Sequence, residues 1–111
     1  PFEPAALLLA RIISIPTATR ATLDLGYKAI ASDPAGERGI VWNLDKVAPV
    51  FQNEEHWVME ISDTTALRVG QPVYVFPTHI CPTSAMHRYA YVIDDQGCCS
   101  DRWVVSARDR E

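Results

Sequence analysis

Proline and glycine punctuate this chain so often that the apolar segments between them are short, and that spacing predicts many strands and few helices. The run Leu7 to Ile15 is almost continuously apolar, with β-branched Ile12 and Ile13 inside it, and reads as a buried strand ended by Pro16. Thr19, Ala21, Leu23 and Leu25 alternate with Arg20, Thr22 and Asp24, the period-two pattern of a half-buried strand, until Gly26 breaks it. Ser32 to Gly39 has strong turn chemistry and reads as a polar loop. Short strands are expected at Ile40 to Leu44 and Val47 to Gln52. In His56 to Ile61, the residues Trp57, Met59 and Ile61 share one face. A turn at Gly70 precedes a strand at Val73 to Phe76, with Pro77 at its end. Pro82 to His87 predicts one helical turn, and Asp94 to Gly97 predicts a hairpin turn between an aromatic strand (Tyr89, Tyr91, Ile93) and a returning strand at Asp101 to Ser106. The tail Ala107 to Glu111 is expected to be solvated and frayed. The fold expected is therefore all-β, a small antiparallel barrel or sandwich with at most one short helix.

At 111 residues the chain fits one domain, residues 1–111, and shows no internal repeat. A net charge of −4 without a basic stripe points away from nucleic acid and anionic membranes as partners. No apolar run is long enough to span a bilayer, and Ala5 to Ala10 is too short for a signal-peptide core. Because the sequence begins at Pro1 rather than Met, a piece of a larger protein is expected. The three cysteines, Cys81, Cys98 and Cys99, form no disulfide framework, and the adjacent pair could bridge only through a strained ring, so free thiols at Cys98 and Cys99 and a cytoplasmic location are expected.

The segment that carries chemistry is FPTHICPTSAMH, Phe76 to His87. On extended backbone, His79 and Cys81 would project to the same side, and imidazole plus thiolate is a ligand pair that suits zinc. Soft thiolate ligation argues against magnesium or calcium. Two ligands are too few for a closed structural site, so any metal here keeps open positions, as catalysis requires. On spacing alone, a buried thiol beside a strand-end histidine is the better account. A third account makes Cys81 a nucleophile with a histidine base, but no orienting third group is evident.

The strings PTHICPT (Pro77–Thr83) and DRW (Asp101–Trp103), with the tyrosine-rich strand between them, resemble the C-terminal domain of the D-threonine aldolase and D-serine dehydratase family. So do LDLGYKAIASD (Leu23–Asp33) and NEEHW (Asn53–Trp57), in the family's order. The resemblance implies an alanine-racemase-type enzyme in which an N-terminal TIM-type barrel carries PLP and its Schiff-base lysine. That barrel is absent from this chain, which would be the C-terminal β-domain completing the site, usually in a homodimer. The resemblance also implies that His79 and Cys81 bind a divalent metal, with the cysteine favouring zinc over manganese. PLP would serve as electron sink for a D-amino-acid substrate, and the metal would polarise the substrate β-hydroxyl. Family position suggests that His56 approaches the interdomain site as a catalytic candidate; a surface histidine at a strand edge is the plainer account. Lys28 is expected to be exposed or salt-bridged, Asp24 to point out of the core, and His87 to sit at a helix end, with a third-ligand role left open. Tyr89, Tyr91 and Trp103 are expected either in the core or on the surface that docks the barrel. By itself the domain is expected to be inactive and to expose apolar surface. The alternative from another class is a self-contained structural or interaction β-domain.

Overall fold

A computed structural model describes residues 3–109. Eight strands and little helix make up the described residues, in agreement with the all-β expectation. Six of them, β1 (Leu8–Thr17), β2 (Arg20–Leu23), β3 (Gly39–Val41), β4 (Val47–Gln52), β5 (Trp57–Ile61) and β6 (Pro72–Pro77), form one antiparallel sheet in the order β3-β6-β1-β2-β5-β4. A short helix, α1 (Ile80–Ala85), follows β6 and leads into a separate two-stranded hairpin of β7 (Tyr89–Ile93) and β8 (Cys99–Val104). A single 3-10 turn, Ser106–Arg108, comes next; of the tail expected to fray, residues 110–111 lie outside the described residues.

The alternating pattern decides which face closes. Ala10 and Ile12 of β1, Ala21 and Leu23 of β2, Trp57, Met59 and Ile61 of β5, and Val73 and Val75 of β6 all point inward. Leu25 and Ile30, from the connection after β2, plug the same core. Full burial of residues such as Ile12, Leu23 and Ile30 contributes about 1.5–3 kcal/mol each. With one face so apolar, the sheet curls until its edge strands β3 and β4 approach, and the Arg38 guanidinium donates to the Gln52 side-chain oxygen across the gap. Gln52 in turn donates to the Leu25 carbonyl at 3.0 Å. The result is a nearly closed barrel with a seam. Two clefts of about 180 and 250 Å³ lie along that seam, and none of His56, His79 or Cys81 lines either one.

The prolines sit where a missing N–H does least harm. Pro49 lies in edge strand β4 beside a bulge, while Pro72 and Pro77 begin and end β6. Pro16 does not end β1, contrary to expectation: the strand runs on to Thr17. Beyond Ile12, β1 pairs with β2 alone, through irregular register, so the missing donor at Pro16 breaks no regular ladder.

Two apolar surfaces are left uncovered. On the outside of β1, β6 and β3, Leu9, Tyr74, Ile40 and Trp42 are exposed, and the Trp42 and Phe76 rings meet edge to face with centroids 5.2 Å apart. The β7–β8 hairpin turns at Gly97, whose φ of +77° favours glycine, and Asp94 caps the turn by accepting from the Gln96 and Cys98 N–H groups. Its Tyr91, Ile93, Trp103 and Val104 are all exposed. Of the two expectations for Tyr91 and Trp103, the core is therefore excluded, because a two-stranded ribbon standing clear of the barrel has no second layer to bury them. Cys98 and Cys99 are free thiols, as expected, and so is Cys81. No helix among the described residues is long and apolar enough to cross a membrane.

Candidate functional site

Three segments singled out in the sequence meet in two pairs, and the stretch from Gly26 to Asp33 belongs to both meetings. Gly26 begins it. A Cβ at this position would stand 2.0 Å from the Glu54 carbonyl oxygen, so only glycine lets the chain lie against the β4–β5 hairpin. Tyr27 N–H then donates to the Asn53 carbonyl at 2.9 Å and Lys28 N–H to the Glu54 carbonyl at 3.1 Å. The Asn53 side chain shapes the hairpin by accepting from the N–H groups of Glu55 and His56.

Charge pairs complete this contact. The Lys28 ammonium lies 2.7 Å from the Glu55 carboxylate, and that hydrogen bond raises the lysine above its ordinary range. A lysine held charged in this way is a poor Schiff-base nucleophile, in keeping with the salt-bridged role expected for it. Hydrogen bonding to Glu54 raises the Tyr27 phenol, and the same bond lowers the Glu54 carboxyl. His56 is exposed in the hairpin loop just before β5, not on the strand itself as the alternation suggested, because Asn53 holds its backbone in the turn. Among the described residues, no side-chain partner engages its ring.

The second meeting joins Ala29–Asp33 to the His79–His87 segment. Thr83, buried in α1, is its clamp. The Thr83 hydroxyl donates to the His79 carbonyl at 2.7 Å and accepts from the Ala31 N–H at 3.0 Å. At the far end of the helical segment, His87 Nε2 donates to the Ala29 carbonyl at 2.7 Å. That contact gives His87 a packing role and makes the helix-end account the better one. Asp33 thereby comes to His79, with its Oδ2 2.5 Å from Nδ1 of the imidazole.

His79 is the N-cap of α1, with extended backbone (φ −126°, ψ 99°), but Cys81 already lies in the first turn of the helix. The extended geometry expected to put the two side chains on one side thus applies to His79 and fails at Cys81, which lies inside the first turn of α1, where the Thr83 hydroxyl bonds back to the His79 carbonyl. Both side chains are exposed nevertheless, on the short stretch between β6 and the body of α1. Asp24, exposed as expected, accepts from the Arg11 N–H at 2.5 Å and so ties β2 to β1.

Sequence reading missed Asp33 and Thr83. The signal for Thr83 was present: a threonine four residues after His79, placed to bond back to its carbonyl. Asp33 carried none, since its partner is 46 positions away.

The donor chemistry fits a divalent cation at an open site. With Nδ1 engaged by Asp33, His79 has Nε2 available, and Cys81 supplies a free thiol. Among the described residues, no three or more His, Cys, Asp or Glu side chains are grouped to hold a metal, so this is not a closed structural site.

The clamp makes a direct prediction. Thr83→Val keeps the shape and removes both hydrogen bonds, leaving the Ala31 N–H and the His79 carbonyl without their partner. A loss of about 2–3 kcal/mol is expected, read as a lower urea midpoint at unchanged slope. A midpoint equal to that of the wild type would show that Thr83 is not the clamp.

Comparison with known proteins gives a consistent result. Residues 5–93 match the family described as a putative serine dehydratase domain. A D-threonine aldolase of Arthrobacter sp. is 31% identical over 113 residues, spanning 96% of this chain and 28% of that protein. The crystal structure of D-threonine aldolase from Filomicrobium marinum superposes with a TM-score of 0.86 at 23% identity, covering 97% of this chain and 29% of its own. A metal-free D-threo-3-hydroxyaspartate dehydratase carrying a cysteine-to-alanine substitution superposes with a TM-score of 0.75 at 18% identity, over 88% of this chain and 31% of its own. An alanine racemase-like protein of Idiomarina loihiensis shares the fold as well, with a TM-score of 0.72 at 24% identity over 88% of this chain and 30% of its own. The chain thus spans less than a third of the length of the relatives it matches.

Proposed function

This chain belongs to the putative serine dehydratase domain family, and on that premise we propose that it is the metal-binding C-terminal β-domain of a PLP-dependent D-amino-acid lyase, an aldolase or a dehydratase. The observation that carries the reading is the convergence around His79. Segments far apart in sequence are clamped together by buried Thr83 so that an exposed imidazole with one nitrogen engaged stands two residues before a free, exposed thiol. The spacing of that pair adds support: in the dehydratase relatives, the substituted histidine and the substituted cysteine are also two positions apart.

His79, through Nε2, and Cys81 would hold the cation, zinc in preference to manganese because thiolate is a soft ligand. When bound, the metal supplies Lewis-acid polarisation of the substrate β-hydroxyl, and PLP on the preceding barrel supplies an electron sink. This chain's part is to fix the imidazole and thiol, to leave the remaining coordination positions open, and to present His56 and the Tyr27–Glu54 contact at the neighbouring β4–β5 loop. The N-terminal PLP barrel covers the exposed apolar faces, in a homodimer acting in the cytoplasm.

The test is to supply the full-length protein with PLP and zinc, offer D-threonine and D-serine, and identify the products. Glycine plus acetaldehyde names an aldolase; pyruvate plus ammonia from D-serine names a dehydratase. No turnover of these or of 3-hydroxy-D-aspartate, with both cofactors shown to be bound, would remove the lyase reading and leave a structural or interaction domain.

A further inference from the structure

We infer that Asp33 is the positioning residue of His79, holding its imidazole in the tautomer that leaves Nε2 free for a divalent cation; this rests on the metal-lyase reading above. A carboxylate can only accept, so at 2.5 Å from Asp33 Oδ2 the proton of the neutral ring resides on Nδ1. The lone pair is then on Nε2. An unassisted histidine favours the opposite arrangement, with the proton on Nε2, and would have to shift its proton before that nitrogen could bind a cation.

Asp33 and His79 are both about half exposed, with side-chain exposures of 54% and 46%. Two exposed groups hold one another weakly, so the geometry must come from what carries them. Thr83 supplies it. One buried hydroxyl bonds the His79 carbonyl and the Ala31 N–H, tying to the same atom the backbone of His79 and the backbone two residues before Asp33. His87 pins the same segment again at the Ala29 carbonyl. Asp33 therefore reaches the ring from a segment held at two points, and the ring is oriented before any cation arrives. A carboxylate on the far nitrogen of a ligating histidine also makes the ligand more basic, and loss of such a partner costs about 10–100-fold in metal affinity.

The experiment uses the full-length chain with PLP, in wild-type, Asp33→Ala, Asp33→Asn and His79→Ala forms. Zinc affinity is measured by chelator competition. The ring nitrogens of the zinc-free protein, selectively ¹⁵N-labelled at histidine, are read by NMR, and the His79 signals are identified by their loss in His79→Ala. We expect Asp33→Ala to weaken zinc binding about 10–100-fold and to move the His79 proton toward Nε2. Asp33→Asn keeps an acceptor oxygen and is expected to restore the Nδ1–H tautomer and most of the affinity. Unchanged affinity and tautomer in Asp33→Ala, with zinc lost in His79→Ala, would overturn the role of Asp33 alone. Zinc loss in Asp33→Asn as complete as in His79→Ala would make Asp33 a ligand and overturn the positioning role. Zinc retained in His79→Ala would overturn the metal reading and this inference together.

Discussion

Alanine at His79 or at Cys81 is expected to strip the divalent metal from the full-length enzyme and to reduce lyase turnover about a thousandfold or more, equivalent to ~4 kcal/mol of transition-state stabilisation. The size follows from the donor count. Among the described residues no third His, Cys, Asp or Glu is grouped with the proposed pair, so a site that loses one keeps a single ligand, and a single imidazole or thiolate binds zinc too weakly to compete with water. The domain itself should stay folded, because both side chains are exposed and neither belongs to the core. Metal content by elemental analysis and turnover on the identified substrate are the measurements, with thermal unfolding as the control for folding. The two variants also separate the rival chemistries. If Cys81 were a nucleophile, Cys81→Ala would lose turnover and keep the metal, and chelation would leave wild-type activity intact. Metal and turnover both unchanged in both variants would remove the ligand assignment.

Gly26→Ala is expected to be the most damaging single methyl group outside the core. The added carbon would stand 2.0 Å from the Glu54 carbonyl oxygen and 2.3 Å from the Glu55 nitrogen, both backbone atoms with no rotamer by which to move aside. Either the Gly26–Lys28 segment or the β4–β5 hairpin must shift. The Tyr27 and Lys28 backbone bonds to Asn53 and Glu54 go with it, as does the Lys28–Glu55 pair. Overpacking together with the loss of two backbone hydrogen bonds comes to about 3–4 kcal/mol, a large share of a domain's stability. The effect should extend to the metal site, because the segment displaced at Gly26 continues through Ala31 to Asp33. Urea unfolding and zinc affinity of the full-length variant are the measurements. A variant with wild-type stability would mean that the hairpin loop yields freely and that the contact at Gly26 is not a fixed point of the fold.

For this chain, the sequence by itself determined the strands and their faces. Inward alternation at Ala21 and Leu23, and at Trp57, Met59 and Ile61, is a local property, written in side-chain polarity at period two, and all of these residues are buried. The turns at Gly70 and Gly97 were equally legible, since a positive φ leaves a local compositional mark. Family resemblance likewise rested on local strings, and the family match and the shared fold agree with it.

What only the tertiary structure decided is how those strings meet. Nothing in LDLGYKAIASD says that its glycine lies on the NEEHW hairpin or that its final aspartate reaches the imidazole of PTHICPT. These contacts join residues 27 to 58 positions apart, and nothing local in either string marks its distant partner. Spacing arguments fail for the same reason: the i, i+2 rule for His79 and Cys81 needs extended backbone at both, and Cys81 lies in the first turn of α1. Hydrophobic pattern sets the barrel because burial acts on every residue, whereas the site depends on a few directed hydrogen bonds that exist only once the barrel has closed.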